Sequence, residues 1–303
     1  MIVLSALDLF SSLPAECQAP PSPERLVAEA HIRYAFNNAD VALPVTIQGH
    51  AAIMLLGFGI DGGVAIVPSE LATLGIRLPD STQLDSLTIG TEVERHLSVQ
   101  TVQPLGGPGQ PPVIGLLGNE FLARYDIVYD GPANRVRLYA PLSQAAKPPG
   151  ASLKPWLPPG VASASCTPIV AMPEHNAGFT IQADGHPITA ILETLSSYTK
   201  MNMVAARAIG LTQHSPQIHP RPASISETQD AFGHPVKYQA TGIHLTLGTH
   251  PFTEVPMLIF PELDLDQYAS VVPPTLLLNP DDLRGQILVF SNSTGQVCLG
   301  EPR

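Results

Sequence analysis

The chain has 303 residues, 44% of them hydrophobic and 14% charged, with a formal net charge of −11. So apolar a composition excludes a disordered chain, apolar runs of only strand length exclude a multi-span membrane protein, and the acidic balance argues against nucleic acid as a partner. The 32 prolines exclude a mainly helical protein, because proline costs about 3 kcal/mol inside a helix and is admitted at strand edges, turns and linkers. Residues 1–25 open on an apolar stretch, Met1 to Leu13, which Asp8 interrupts, and no Lys or Arg occurs before Arg25. A secretory signal wants a basic start and an unbroken apolar run. The segment therefore reads as either an export signal or a short leader, and the compartment, periplasmic or secreted if exported, stays open.

In the first half, Val41 to Ile47, Ala51 to Leu56, Val64 to Val67, Leu84 to Ile89, Leu97 to Val102 and Ile127 to Tyr129 have strand length and turn-forming borders. Two short helices are predicted: Pro68 to Leu74, with proline early and Gly75 as its stop, and Asn119 to Tyr125. A proline-rich stretch follows, Ala140 to Ser165, and is read as a linker (residues 141–165) between a first unit at 26–140 and a second at 166–303. Strands then recur near Phe179 to Ala183, Ile188 to Leu192, Ile243 to Leu247, Val255 to Phe260 and Ile287 to Phe290. Cys17 lies in the leader. Cys166 and Cys298 lie near the two ends of the second unit, as a disulfide if the protein is exported or as two buried thiols otherwise.

The two halves repeat one another. Gly49-His50 in VTIQGHAAIMLLGFG answers Gly185-His186 in FTIQADGHPITAILETL, and each is followed by a short helix ending Leu74-Gly75-Ile76 or Ile209-Gly210-Leu211. Leu87 to Thr91 (LTIGT) answers Leu245 to Thr249 (LTLGT), and Tyr125 to Leu138 answers Gln286 to Leu299. The register holds apart from an insertion, Thr212 to Pro235, polar and rich in His and Pro, which reads as a long loop.

This order of strand, Gly-His, apolar strand, tight loop and short helix, followed by Ile114 to Leu122 (IGLLGNEFL) and a strand-turn-strand, resembles the retropepsin-like aspartic proteases. Two such units in one chain resemble the pepsin-type arrangement. The resemblance implies an all-β fold of two distorted barrels with a few short helices and an active-site cleft between them. It also implies Asp-Thr/Ser-Gly on the tight loop of each lobe, two carboxylates sharing a proton so that one acts as base and the other as acid.

Here the loops depart from that pattern. The first reads Gly57-Phe58-Gly59, with no carboxylate; the second reads Glu193-Thr194-Leu195, keeping an acid one methylene longer and losing the glycine. Asp61-Gly62-Gly63 offers a superficial substitute, but using it slides the strand and breaks the match at Gly75, so Asp61 reads as an exposed turn acid. Glu193 is the candidate catalytic residue, a lone general acid or base or a relic. Phe58 either floors the cleft as an apolar contact or fills the volume left by the lost network. His214, His219 and His234 fit no metal-ligand spacing, and Glu262, Asp264 and Asp266 read as a solvated edge, so neither a metal nor a cofactor is expected.

Three functions remain open. The first is a degenerate aspartic protease homologue that binds a peptide-like or small apolar ligand in the cleft by strand addition and apolar pockets. The second is an enzyme, an isomerase, cyclase or hydrolase, using Glu193 alone, and the third a residual aspartic-type peptidase. Neither a membrane span nor nucleic acid enters any of them, and the chain is expected as a monomer or a homodimer.

Overall fold

The computed structural model describes residues 25–35, 38–78, 83–105, 113–141, 157, 161–172, 176–194, 198–212, 214–220, 238–252, 256–260 and 275–302. Among the residues singled out above, Cys17, Leu195, His234, Glu262, Asp264 and Asp266 lie outside these, as do most of the leader and of the proline-rich linker.

The first half runs through β1 (Leu26–Ala35), β2 (Asn38–Ile47), β3 (His50–Leu56) and β4 (Val64–Ile66) to helix α1 (Pro68–Thr73). Then come β5 (Gln83–Ile89), β6 (Glu92–Ser98), β7 (Gln100–Thr101), β8 (Gly115–Leu117), helix α2 (Asn119–Leu122), β9 (Asp126–Asp130) and β10 (Arg135–Tyr139). The second half begins with β11 (Val161–Ala171), β12 (Ala177–Ala183), β13 (His186–Leu192), β14 (Lys200–Asn202) and helix α3 (Met203–Ala208). It continues through β15 (Ile218–Pro220), β16 (Tyr238–Ala240), β17 (Leu245–Leu247), β18 (His250–Pro251) and β19 (Met257–Phe260). It closes with β20 (Thr275–Leu278), a 3₁₀ turn at Pro280–Leu283, β21 (Ile287–Ser291) and β22 (Gln296–Pro302). The fold is all-β, its described helices limited to single short turns.

The repeated Gly-His pairs are explained by their turns. Gln48-Gly49 and Asp184-Gly185 are two-residue hairpin loops in which all four residues have positive φ, the backbone that matches strand twist and that Asn, Asp and Gly tolerate best. Each hairpin enters the same plan of partners. β3 runs parallel to β8, which runs antiparallel to β4, and β4 runs parallel to β7. In the second half β13 runs parallel to β20, which runs antiparallel to β14, and β14 runs parallel to β19. Pairings β2–β5 and β9–β10 are matched by β12–β17 and β21–β22.

The halves are joined within the chain. β9 pairs antiparallel with β21, Ile127 opposite Phe290, so that β2, β1, β10, β9, β21, β22 and β11 follow one another through hydrogen bonds. At this seam the fully buried Asp126 meets Arg25 at 2.7 Å and accepts from the Ser293 hydroxyl at 2.7 Å and amide at 2.8 Å. One apolar cluster draws on both halves, with Phe58 stacked on Phe290 at 5.9 Å and Phe179 edge-on to the same ring.

Three elements differ from the sequence reading. β6, EVERHLS, alternates exposed and half-buried residues and pairs with β5; with no apolar run it gives no hydrophobic signal, and the strand expected at 97–102 is shifted and split. β11 begins at Val161, so Val161 to Ser165 belong to a strand paired with β22 rather than to the linker; their small side chains carry little hydrophobic pattern, and the partner strand decides. Within the insertion read as a loop, β15 pairs with β16 and through it with β19, an addition without counterpart in the described first half. Cys166 and Cys298 sit directly opposite one another in β11 and β22 and are disulfide-bonded.

Candidate functional site

The two tight loops hang from the scaffold in the same way. The Gly57 amide donates to Leu117 O at 2.8 Å, and the Glu193 amide donates to Leu278 O at 2.9 Å. Positions 57 and 193 are therefore equivalent in the backbone as well as in the sequence repeat. The loops also bind each other. Thr194 Oγ1 accepts from the Phe58 amide at 3.0 Å and donates to Leu56 O at 2.7 Å, while the Thr194 amide donates to Phe58 O at 3.2 Å. Gly59 is what permits this approach: at φ +77° a Cβ there would lie 3.0 Å from Leu192 O and 3.2 Å from Glu193 Cα.

From this frame the side chains diverge. Position 57 has no side chain, and a Cβ added to it would meet Ile60 Cγ1 at 3.1 Å. Ile60 belongs to an apolar cluster of Ala42, Leu55, Ala65 and Leu116, with half-buried Ile53, Val102, Leu105 and Val113 packed against it. At the equivalent place in the second half, Lys200 stands opposite Leu277 as Ala65 stands opposite Leu116. Its Nζ lies 3.4 Å from Glu193 Oε2, with side-chain exposures of 21% and 14%. That carboxylate oxygen is buried and accepts no hydrogen bond among the described residues. Among the described residues the charge paired with Glu193 is thus a cation, where a shared proton would need a second carboxyl about 3 Å away.

Phe58 is 5% exposed and its ring stacks on Phe290. Beside it lies a cavity of about 30 Å³, lined by Phe58, Gly59, Asn119, Leu192, Phe290 and Asn292 among others, with room for one or two waters. Asp61 is exposed, its carboxylate accepting from the Gly62 amide at 2.7 Å, a turn role apart from the loop contact. The other half of the Glu193 loop, Leu195, lies outside the described residues. Among the described residues no group of three or more His, Cys, Asp or Glu lies together in a way that could hold a metal, and no helix is long and apolar enough to cross a membrane.

Three contributors escaped the sequence reading. Lys200 carries no motif, and only its position after the loop acid could have flagged it. Asn119 accepts from the Gly59 amide at 3.1 Å and donates to Asn176 at 2.5 Å, a buried bridge from first half to second. Ile60 was legible as an apolar residue but not as the occupant of the space beside Gly57.

No protein-family model and no curated protein matches the chain. A solved structure of a retropepsin-like aspartic protease from Rickettsia conorii is similar at 15% identity, over 37% of this chain and 88% of that one, with a TM-score of 0.27.

Proposed function

We propose that the chain is a non-proteolytic relative of the retropepsin-like aspartic proteases, built by internal duplication, that holds a peptide-like or apolar ligand between its two lobes. The lobes are residues 26–140 and, since β11 starts there, 161–303. The observation that carries this reading is Glu193 paired with Lys200 while Ile60 takes the space beside Gly57. Among the described residues water activation by a carboxyl pair has no second carboxyl paired with Glu193, and losing one member of a cooperative catalytic pair removes several orders of magnitude of rate. The ligand class rests on the half-buried Ile53, Ile60, Val102, Leu105 and Val113, which form an apolar wall next to the loops.

The test is incubation of the full chain with a broad synthetic peptide library under acid and neutral conditions, with and without pepstatin, followed by affinity selection from the same library. No cleavage is expected at any pH, and extended apolar peptides should be retained equally by the wild type and by Glu193→Gln. Pepstatin-sensitive cleavage that Glu193→Gln abolishes would overturn the proposal. Ile60→Lys, at the edge of the wall, should release the retained peptides.

One observation favours a second reading, a repurposed enzyme. Glu193 Oε2 is buried and, beyond its ion pair with Lys200, accepts no hydrogen bond among the described residues, which suits a lone general acid or base in an isomerisation, cyclisation or hydrolysis. That reading requires Glu193→Gln to remove a turnover while leaving the fold intact.

A further inference from the structure

In the first half lies a cavity of about 280 Å³, bordered by Gly63, Val64, Leu97, Val99, Gln100, Glu120, Phe121 and Arg124. Gly63 lies on its border, and Gly62 precedes it in the chain. A Cβ at position 62 would stand 3.3 Å from the Gln100 amide head, and one at 63 would stand 3.6 Å from Glu120 Oε2. At position 62, where φ is +87°, a Cβ would crowd the Gln100 head, whereas at 63 it would make only ordinary contact with Glu120 Oε2.

The charges in and around the cavity are unequally matched. Arg124 is ion-paired with Glu94 and lies over the Phe121 ring, 4.7 Å from its centroid. Glu92 accepts the Tyr125 hydroxyl at 2.8 Å, and burial first, then this bond, pushes that phenol well above its ordinary pKa. Those two acids are engaged. Glu120, by contrast, makes no ion pair or side-chain hydrogen bond among the described residues, and neither does the Gln100 amide. The lining thus carries one uncompensated negative charge and one idle amide above walls of Val64, Leu97 and Val99. In the second half, extending the register and the repeat equates Val64 and Phe121 with Thr199 and Asp282, which are hydrogen-bonded to each other.

We propose that this cavity binds the basic side chain, lysine or arginine, of a peptide partner. The aliphatic stem would cover the valine and leucine walls while its cationic head reaches the Glu120 carboxylate and the Gln100 carbonyl. One carboxylate and one amide are too few ligands for a calcium ion, which takes six to eight oxygens. The site is independent of Glu193 and of the reading given to it.

The experiment titrates the full chain with Nα-acetyl-lysine methylamide, its arginine analogue, its neutral norleucine analogue and calcium chloride, followed by amide NMR shifts. Saturable shifts confined to residues 62–64, 97–100 and 120–124 are expected for the two cationic probes, with Kd on the order of 1 mM. Glu120→Gln, a change at an exposed position, should weaken both by about tenfold or more. Gly63→Leu should abolish them by filling the cavity from its border. Equal binding of the norleucine analogue, calcium shifting the same residues, unchanged affinity in Glu120→Gln, or no shift up to about 10 mM probe would each overturn the proposal.

Discussion

Phe58 and Thr194 occupy equivalent positions in the two halves, 136 residues apart, and tie those halves together by different physics. Phe58 does so by packing, its buried ring stacked on Phe290 across the seam. Thr194 does so by hydrogen bonding, one hydroxyl serving both the Phe58 amide and Leu56 O. The backbone hydrogen bonds beneath them match on both sides, Gly57 N to Leu117 O and Glu193 N to Leu278 O, so the two halves share a scaffold at this point while the side chains it carries differ. The same divergence recurs at the strands that flank the seam. Glu29 and Arg137 stand opposite one another in β1 and β10, and the positions that answer them in β11 and β22 are Cys166 and Cys298.

If the two ties differ as described, truncating the packed one should cost most. Phe58→Ala removes a buried aromatic ring and leaves a cavity at the seam, with an expected loss of about 3–5 kcal/mol in unfolding free energy, read by urea denaturation. A loss below about 1 kcal/mol would mean that the ring is filler and that the hydrogen bonds alone hold the loops. Next in size is the covalent link. The double change Cys166→Ala, Cys298→Ala opens a loop spanning 132 residues and should cost about 2–5 kcal/mol under the same assay. Reducing agent should lower the wild type to the level of the double variant and leave the variant unmoved. Third is Thr194→Val, which keeps the volume but strands a buried amide and a buried carbonyl; about 1–3 kcal/mol is expected. Thr194→Ser, retaining the hydroxyl, should recover most of it.

How far these contrasts could be read beforehand depended on whether the signal was local. Hairpins at Gly49 and Gly185, helix α1 with its leading proline, and the apolar strands β3 and β13 announce themselves through turn chemistry and hydrophobic runs, so the repeat and the all-β class were legible. β6 was not, because an edge strand satisfies one side with water and needs no apolar pattern. Val161 to Ser165 was misread because Ala and Ser carry no preference strong enough to outweigh neighbouring prolines, and only the pairing with β22 makes a strand of them. At the site, the missing carboxylate at Gly57 was plain in the text. The cation beside Glu193 was not: Lys200 is seven residues on, and its position depends on the pairing of β14 with β20, which no local pattern announces. The cysteines illustrate the same limit, since a buried thiol and a half-disulfide look alike until register brings Cys166 opposite Cys298.

The smallest expected effect tests the comparison at its other flank. Arg137 Nε approaches Glu29 Oε2 at 2.9 Å, but the two side chains keep 23% and 30% of their surface in water, and Arg137 also reaches Asp130 at 3.2 Å. A partly solvated pair with a second acceptor gains little from the Coulomb term and is weakened by salt. Glu29→Gln should therefore change unfolding free energy by less than about 1 kcal/mol, and the difference should vanish near 1 M NaCl, where the Debye length has shrunk to about 3 Å. The disulfide at the answering positions should show no such salt dependence, because its contribution lies in the restricted unfolded chain rather than in charge. Were Glu29→Gln to cost as much as losing the disulfide, strand pairing at this register would be what matters in both halves. The cysteines would then be an ornament on a seam already closed by β9 and β21.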